Sequence, residues 1–224
     1  MLFIQFSAGE GPIKTLVTGA SGHLGYHLCK LLLAEGFTVR AFVRSSSFRD
    51  HLSQWPLDIC FGDVLDRDSL CAAMQGMDVV FHTAAIYQLS ETNKRNGSRK
   101  EDPIIQTAVD GTENIYRAAS ETGIKKIVFT SSVETIGFTD DRKKLLDESF
   151  HSDDDFYVYT TAKIQSERAA LSLGQTCNVP TVICNPSTII GKDDYKPTPS
   201  NKMLLNLIRF NRFYVEAGQS LVDV

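Results

Sequence analysis

A chain of 224 residues is long enough for one substantial α/β domain, or for one domain and part of another. Its apolar share of 42% and charged share of 22% are ordinary for a globular protein, and a net charge of −4 gives no electrostatic reason to expect nucleic acid or an anionic membrane as a partner. No apolar run is long enough to span a bilayer, and the apolar opening lacks the basic n-region of a secretory signal, so residues 1–12 read as an N-terminal extension. The five cysteines (Cys29, Cys60, Cys71, Cys177 and Cys184) are odd in number, include no Cys-x-x-Cys pair and sit in apolar segments. That is the pattern of reduced thiols in a cytoplasmic protein, and no metal site is expected on them.

Short β-branched runs alternate with helical patterns, as in an α/β doubly wound parallel sheet of the Rossmann type. Ile13–Thr18 reads as the first strand and Gly25–Glu35 as the first helix, with Leu28, Leu31 and Leu32 on one face and Gly36 at its end. Between them runs Thr18-Gly19-Ala20-Ser21-Gly22-His23-Leu24-Gly25. Three glycines at this spacing permit a tight turn, bring backbone N–H groups close to a pyrophosphate and let helix and strand pack closely. The helix N-terminus then offers unpaired N–H groups to phosphate. A glycine triplet alone is a weak signal, but its place between a strand and a helix makes it specific. Gly19, Ser21, Gly22, His23, Leu24 and Gly25 are therefore candidate cofactor-binding residues.

Thr38–Val43 reads as the second strand, and its end selects the dinucleotide. An acidic residue there would bind the ribose 2′-hydroxyl of NAD. This chain has Arg44, then Ser45, Ser46 and Ser47, with Arg49 close behind. A guanidinium pairs bidentately with a 2′-phosphate, so NADP(H) is expected; stacking of Arg44 on adenine is the alternative and would leave NAD possible. Ile59–Gly62 is the third strand, followed by Asp63 and Val64 and a helix over Asp66–Met74. Asp63 is either an acceptor for the adenine amino group or a residue that starts the following helix. Val79–Thr83 is the fourth strand, and its small end residues Thr83, Ala84 and Ala85 let a cofactor pass close to the backbone. The polar stretch Glu91–Asp102 reads as a solvated loop rather than a phosphate-binding patch.

A long helix over Ile105–Thr122 and a fifth strand over Lys126–Ser131 follow. The strand ends in Thr130-Ser131-Ser132, where one serine can donate to a carbonyl oxygen gaining charge and the other can cap the next segment. A further helix covers Tyr159–Leu173, and Thr181–Asn185 is the sixth strand. Tyr159 and Lys163 stand four residues apart, one helical turn on one face. A free phenol titrates near ~10, too high for neutral acid–base work, and a neighbouring cation lowers that value. Tyr157 has no lysine four residues on, which makes Tyr159 the candidate proton donor.

The glycine turn, the Ser131-Ser132 strand end and the Tyr159/Lys163 pair occur in the order found in extended short-chain dehydrogenases/reductases, and the chain resembles that superfamily from Ile13 onward. Asn185-Pro186-Ser187-Thr188-Ile189-Ile190-Gly191 is similar to the family stretch that passes the nicotinamide. The Lys196–Ser200 and Ser220–Val224 segments resemble the dihydroflavonol reductase-like and NAD-dependent epimerase/dehydratase proteins, including hopanoid-associated sugar epimerases. The resemblance implies Ser132, Tyr159 and Lys163 as catalytic residues, with Tyr159, Lys163, Pro186 and Ser187 beside the cofactor. It also implies a small-molecule substrate and a homodimer through the two long helices. On this basis residues 13–190 are expected to be the dinucleotide-binding domain and 191–224 the start of a truncated substrate-binding region. The family's Asn-x-x-Gly-Thr reads Ala108-Val109-Asp110-Gly111-Thr112 here, so an asparagine that supports the proton relay is absent at Ala108. Three activities share this residue set: an NADP(H)-dependent ketone or aldehyde reductase, a sugar epimerase/dehydratase that retains its cofactor, and a dinucleotide-sensing regulator without turnover. Substrate choice is expected to lie in Tyr87–Asp102, Gly137–Tyr157 and the region after Gly191.

Overall fold

A computed structural model describes residues 11–85, 102–141, 143–153, 157–209 and 221–224. Most of the N-terminal extension, nearly all of the Tyr87–Asp102 stretch (all but Asp102) and parts of the 137–157 and 191–224 regions lie outside the described residues. Six strands form one parallel sheet: β1 (Lys14–Thr18), β2 (Thr38–Val43), β3 (Asp58–Phe61), β4 (Val79–His82), β5 (Lys126–Thr130) and β6 (Thr181–Cys184), in the spatial order β3-β2-β1-β4-β5-β6. The order reverses between β1 and β4, which pair with Leu16 opposite Val80 and Thr18 opposite His82. In such a sheet the crevice beyond the carboxyl ends of the strands at this reversal is where ligands bind.

Alternation within the strands supplies two cores, because successive side chains leave opposite faces of a sheet covered on both sides. Leu16, Phe42, Val80, Ile127 and Phe129 face the helices α2 (Arg67–Met74), α3 (Pro103–Thr122) and α4 (Val158–Thr176), against Leu70, Met74, Ile115, Tyr116 and Ala170. Val17, Val39, Ala41 and Val43 pack with Tyr26, Cys29 and Leu32 of α1 (His23–Ala34) on the second core. Burial pushes the Cys29 thiol up to about 12, and all five cysteines are unpaired.

The expected elements are present, with shifted ends. Helix α1 begins at His23 rather than Gly25, because Gly22 serves as its N-cap and the glycine at 25 is tolerated inside the first turn. Helix α3 begins two residues before the expected Ile105: Asp102 caps it by accepting from the Ile104 amide at 2.9 Å, and Pro103 occupies the first helical position. Beyond Gly191 the chain continues as α5 (Pro199–Arg209), and β7 (Thr188–Ile190) pairs in parallel with β8 (Leu221–Asp223). Among the described residues no helix is long and apolar enough to cross a membrane, and no group of three metal-ligating side chains occurs.

Candidate active site

The glycine turn closes against the opposite side of the switch point. Gly19 adopts φ +71°, and a Cβ there would lie 2.7 Å from the Ala84 amide nitrogen. A Cβ on Gly25 would lie 2.2 Å from the Gly19 carbonyl oxygen, so the turn, the helix start and the Thr83–Ala85 stretch pack with no room for side chains. The Gly22 amide donates to the Gly19 carbonyl at 2.9 Å, and no side chain caps α1. The first-turn amides of His23, Leu24 and Gly25 are thus left for an external acceptor, the arrangement that binds phosphate. Thr18 stitches the two sides: its carbonyl accepts from the Thr83 hydroxyl at 2.7 Å, and its own hydroxyl lies 2.8 Å from His82 Nδ1.

Arg44, Ser46 and Ser47 line a cavity of about 300 Å³ together with Ser21, Gly22 and His23. The second-strand residues and the glycine turn therefore face one space. Arg49 does not join them: its guanidinium donates to the carbonyls of Ser45 and Ser47 and stacks over Phe61 at 4.8 Å, holding the loop in shape. The far wall is Asp193, Asp194, Tyr195, Lys196 and Thr198, which chain order alone did not place there. Tyr195 stacks on His51 with centroids 4.4 Å apart and meets Tyr26 edge-on, while the Lys192 carbonyl lies 2.9 Å from His23 Nε2. Asp63 spends one carboxylate oxygen on the Leu65 amide at 3.0 Å, and Asp66, not Asp63, caps α2. Val64 packs on Gly111 of α3, and its carbonyl accepts from Asn114.

Lys163 is 9% exposed, and its ammonium donates to the Thr130 carbonyl at 3.0 Å, which brings it to the end of β5. Burial lowers its pKa to about 8, against the opposing pull of Glu167 and Glu134. Tyr159 stands one turn earlier on α4, half-buried. Ser132 follows β5 and caps a short 3-10 turn by accepting from the Glu134 amide at 3.3 Å. Capping uses a lone pair and leaves the hydroxyl proton free to be donated. Ser131 is buried, and its hydroxyl has no partner among the described residues. The β5 and β6 ends stay paired beyond the sheet: Ser131 donates to the Cys184 carbonyl at 2.7 Å and Val133 to the Pro186 carbonyl at 3.1 Å. Pro186 is thereby set opposite Val133, which follows Ser132 in the chain.

Against known proteins, residues 15–214 match the model of the NAD dependent epimerase/dehydratase family. The chain belongs to this epimerase/dehydratase family. Relatives within reach include the protein named putative dihydroflavonol 4-reductase from Synechocystis sp., 38% identical over 93% of this chain and 59% of that protein. Cinnamoyl-CoA reductase 1 of Petunia hybrida is 32% identical over 93% of this chain and 64% of its own length. The crystal structure of gox2253 superposes with a TM-score of 0.81 at 33% identity, covering 93% of this chain and 62% of that one. The chain thus spans about three fifths of the length of the relatives it matches.

Within the epimerase/dehydratase frame, Ala108 sits among Ile105, Val158 and Ala162, an apolar seat in place of the expected asparagine. Several polar residues escaped the sequence reading because nothing in their local pattern marks them. Glu134 accepts from the Thr160 hydroxyl, Glu167 from Thr135 and Asn185, and His82 lies 5% exposed at the switch point. The one available signal was that Glu167 follows Lys163 by a further helical turn.

Proposed function

We propose that the chain is the cofactor-binding and proton-transfer part of an NADP(H)-dependent ketone or aldehyde reductase, with Tyr159 as proton donor, Lys163 as its cation and Ser132 as carbonyl-oxygen donor. The observation that supports the reading is the contact of Lys163 with the Thr130 carbonyl at the end of β5, two residues before Ser132, with Tyr159 one turn earlier on the same helix. The phosphates fit the uncapped start of α1, at a turn whose Gly19 and Gly25 lie too close to Ala84 and to the Gly19 carbonyl, respectively, to carry a Cβ. Arg44, Ser46 and Ser47 suit a 2′-phosphate in the cavity shared with that turn, which favours NADP(H) over NAD(H).

When bound, the nicotinamide cofactor supplies or accepts a hydride. The chain's part is to hold the substrate oxygen between the Ser132 hydroxyl and the Tyr159 phenol and to move a proton at the phenolic oxygen. Lys163, charged and desolvated, favours the phenolate that remains after donation. Residues 13–190 form the dinucleotide-binding domain in this reading and 191–224 belong to the substrate-binding region, with a homodimer through α3 and α4. Five unpaired thiols favour a cytoplasmic setting.

A sugar epimerase/dehydratase is the second reading, favoured by the description of the matching family model. It predicts cofactor retained through purification, whereas a reductase exchanges NADPH freely. The test of the main reading follows NADPH oxidation against a dihydroflavonol, a cinnamoyl thioester and isovaleraldehyde. Tyr159→Phe should lower turnover by about 10²- to 10⁴-fold with NADPH affinity intact; a variant that keeps full turnover overturns the assignment.

A further inference from the structure

We propose that Glu167 is a positioning residue, a buried carboxylate that locks together the three segments presenting Ser132, Lys163 and Pro186. The inference rests on the active-site reading above but on different atoms. Glu167 is 9% exposed and sits on α4 one turn beyond Lys163. One of its oxygens, Oε2, lies 2.7 Å from the Thr135 hydroxyl and 2.9 Å from Asn185 Nδ2. Thr135 belongs to the turn that Ser132 caps, and Asn185 follows β6 directly before Pro186. The side chain of Asn185 also reaches the Ser132 carbonyl at 3.2 Å and Thr135 Oγ1 at 2.9 Å.

A count of protons shows why this place calls for an acceptor-only group. Thr135 has one hydroxyl proton and Asn185 two amide protons. The acceptors within their reach are Glu167 Oε2, the Ser132 carbonyl and Thr135 Oγ1. If Thr135 donates to the carboxylate, Asn185 is free to hold the Ser132 carbonyl with one proton and the carboxylate with the other. Every donor is then satisfied, and the Ser132 backbone is held through its carbonyl, which leaves its hydroxyl unused by this contact. An amide at 167 would bring two more protons into a place already full of donors, and an alanine would strand Thr135 and Asn185.

The same charge acts on Lys163. The groups acting on that ammonium are Glu167 on its own helix, Glu134 on the turn after β5, the Thr130 carbonyl and neutral His82 on β4, with Tyr159 one turn earlier on the same helix. Glu167 and Glu134 oppose the desolvation that drives Lys163 toward neutrality. Loss of the charge at 167 therefore moves the Lys163 titration midpoint further down, and the active site loses its cation at a lower pH.

The test uses the whole chain labelled with 13C-lysine, titrated by NMR, together with amide exchange of residues 131–136 and NADPH binding. In Glu167→Gln the Lys163 midpoint should fall and exchange of the Ser132 turn should rise by about tenfold, with NADPH affinity changed less than twofold. Asn185→Ala removes the link and keeps the charge, so it should raise exchange in the turn without moving Lys163. This second variant decides the positioning role if Glu167→Gln does not fold. An unmoved Lys163 midpoint in Glu167→Gln, or unchanged exchange in Asn185→Ala, overturns the proposal. None of these readouts uses turnover, so failure here is distinct from failure of the Tyr159 assignment.

Discussion

Arg44 stands just past the end of β2 with an exposed guanidinium that has no hydrogen bond or ion pair among the described residues. Ser46 and Ser47 share its cavity wall, and the glycine turn forms the adjacent one. A side chain with no partner among the described residues that lines a cavity is suited to a ligand, and a bidentate contact to phosphate is worth roughly 1.5–3 kcal/mol. Arg44→Ala should therefore weaken NADPH binding by about 10- to 100-fold and leave NADH nearly unchanged, as read by parallel titrations. Preference for NADPH that survives the substitution would move the phosphate elsewhere. Stacking on adenine predicts a different result, an equal loss for both cofactors. Arg49 is the useful contrast at this scale. It follows Arg44 closely in the sequence, yet the carbonyls of Ser45 and Ser47 and the ring of Phe61 already occupy it.

At the scale of elements, the segment from Gly191 to Thr198 lies across the start of α1 and is fastened there by aromatic and polar contacts. Tyr195 stacks on His51, its hydroxyl accepts from Gln54 at 3.3 Å, and it reaches the Tyr26 hydroxyl at 3.4 Å. Trp55, the single tryptophan of the chain, donates to that same Tyr26 hydroxyl at 3.3 Å. Indole emission is thus a reporter on the strap. Aromatic pairs of this kind contribute about 0.5–1.5 kcal/mol each. Tyr195→Ala should shift Trp55 emission and speed NADPH release by roughly 3- to 10-fold in a displacement experiment; unchanged release would mean that the segment does not bound the cofactor space. The sequence displayed the βα units because each strand and helix carries its own period and its own glycine or cap. It did not display this strap, or the Glu167–Asn185–Thr135 cluster, because those pairings join residues 18 to 169 positions apart and leave no local pattern. The glycine turn and the Tyr159/Lys163 pair were legible for the opposite reason, being bound to one turn or one helix. Which serine would stand at the site was open on residue pattern alone, since capping and donation use different parts of one hydroxyl.

At the scale of the molecule, the sheet is centred on the switch point, and the most confined titratable group there is His82. It is 5% exposed, paired through Nδ1 with Thr18, and close enough to Lys163 to feel its charge. Burial first, and Lys163 second, lower its pKa to about 3 from an ordinary 6.5. The imidazole is therefore neutral in the folded protein near pH 7, with Nδ1 sharing a hydrogen bond with the Thr18 hydroxyl, whose oxygen also accepts from the Ala84 amide at 3.4 Å. Between these two values the unfolded chain binds a proton that the folded chain refuses, so stability rises with pH across that window and is lost as pH falls through it. Asp78 acts in the same sense. Its carboxylate accepts from the Lys14 amide and pairs with Lys125, which hold its pKa below the usual range, so acid also costs the fold that contact. One such group has a limiting slope of about 1.4 kcal/mol per pH unit. Urea unfolding at pH 6.5 and pH 4.5 should therefore differ by roughly 2–3 kcal/mol from His82 alone, on the same slope. His82→Gln keeps a polar partner for Thr18 and cannot titrate, so its unfolding midpoint should fall less steeply with acid even if the variant starts out weaker at neutral pH. Equal slopes in the two proteins would remove His82 as the acid-sensitive group and leave carboxylates such as Asp78 to account for the loss. The outcome bears on function as well as stability, because the residue whose neutrality is tested joins β4 to the Thr18 end of β1, against which the glycine turn closes.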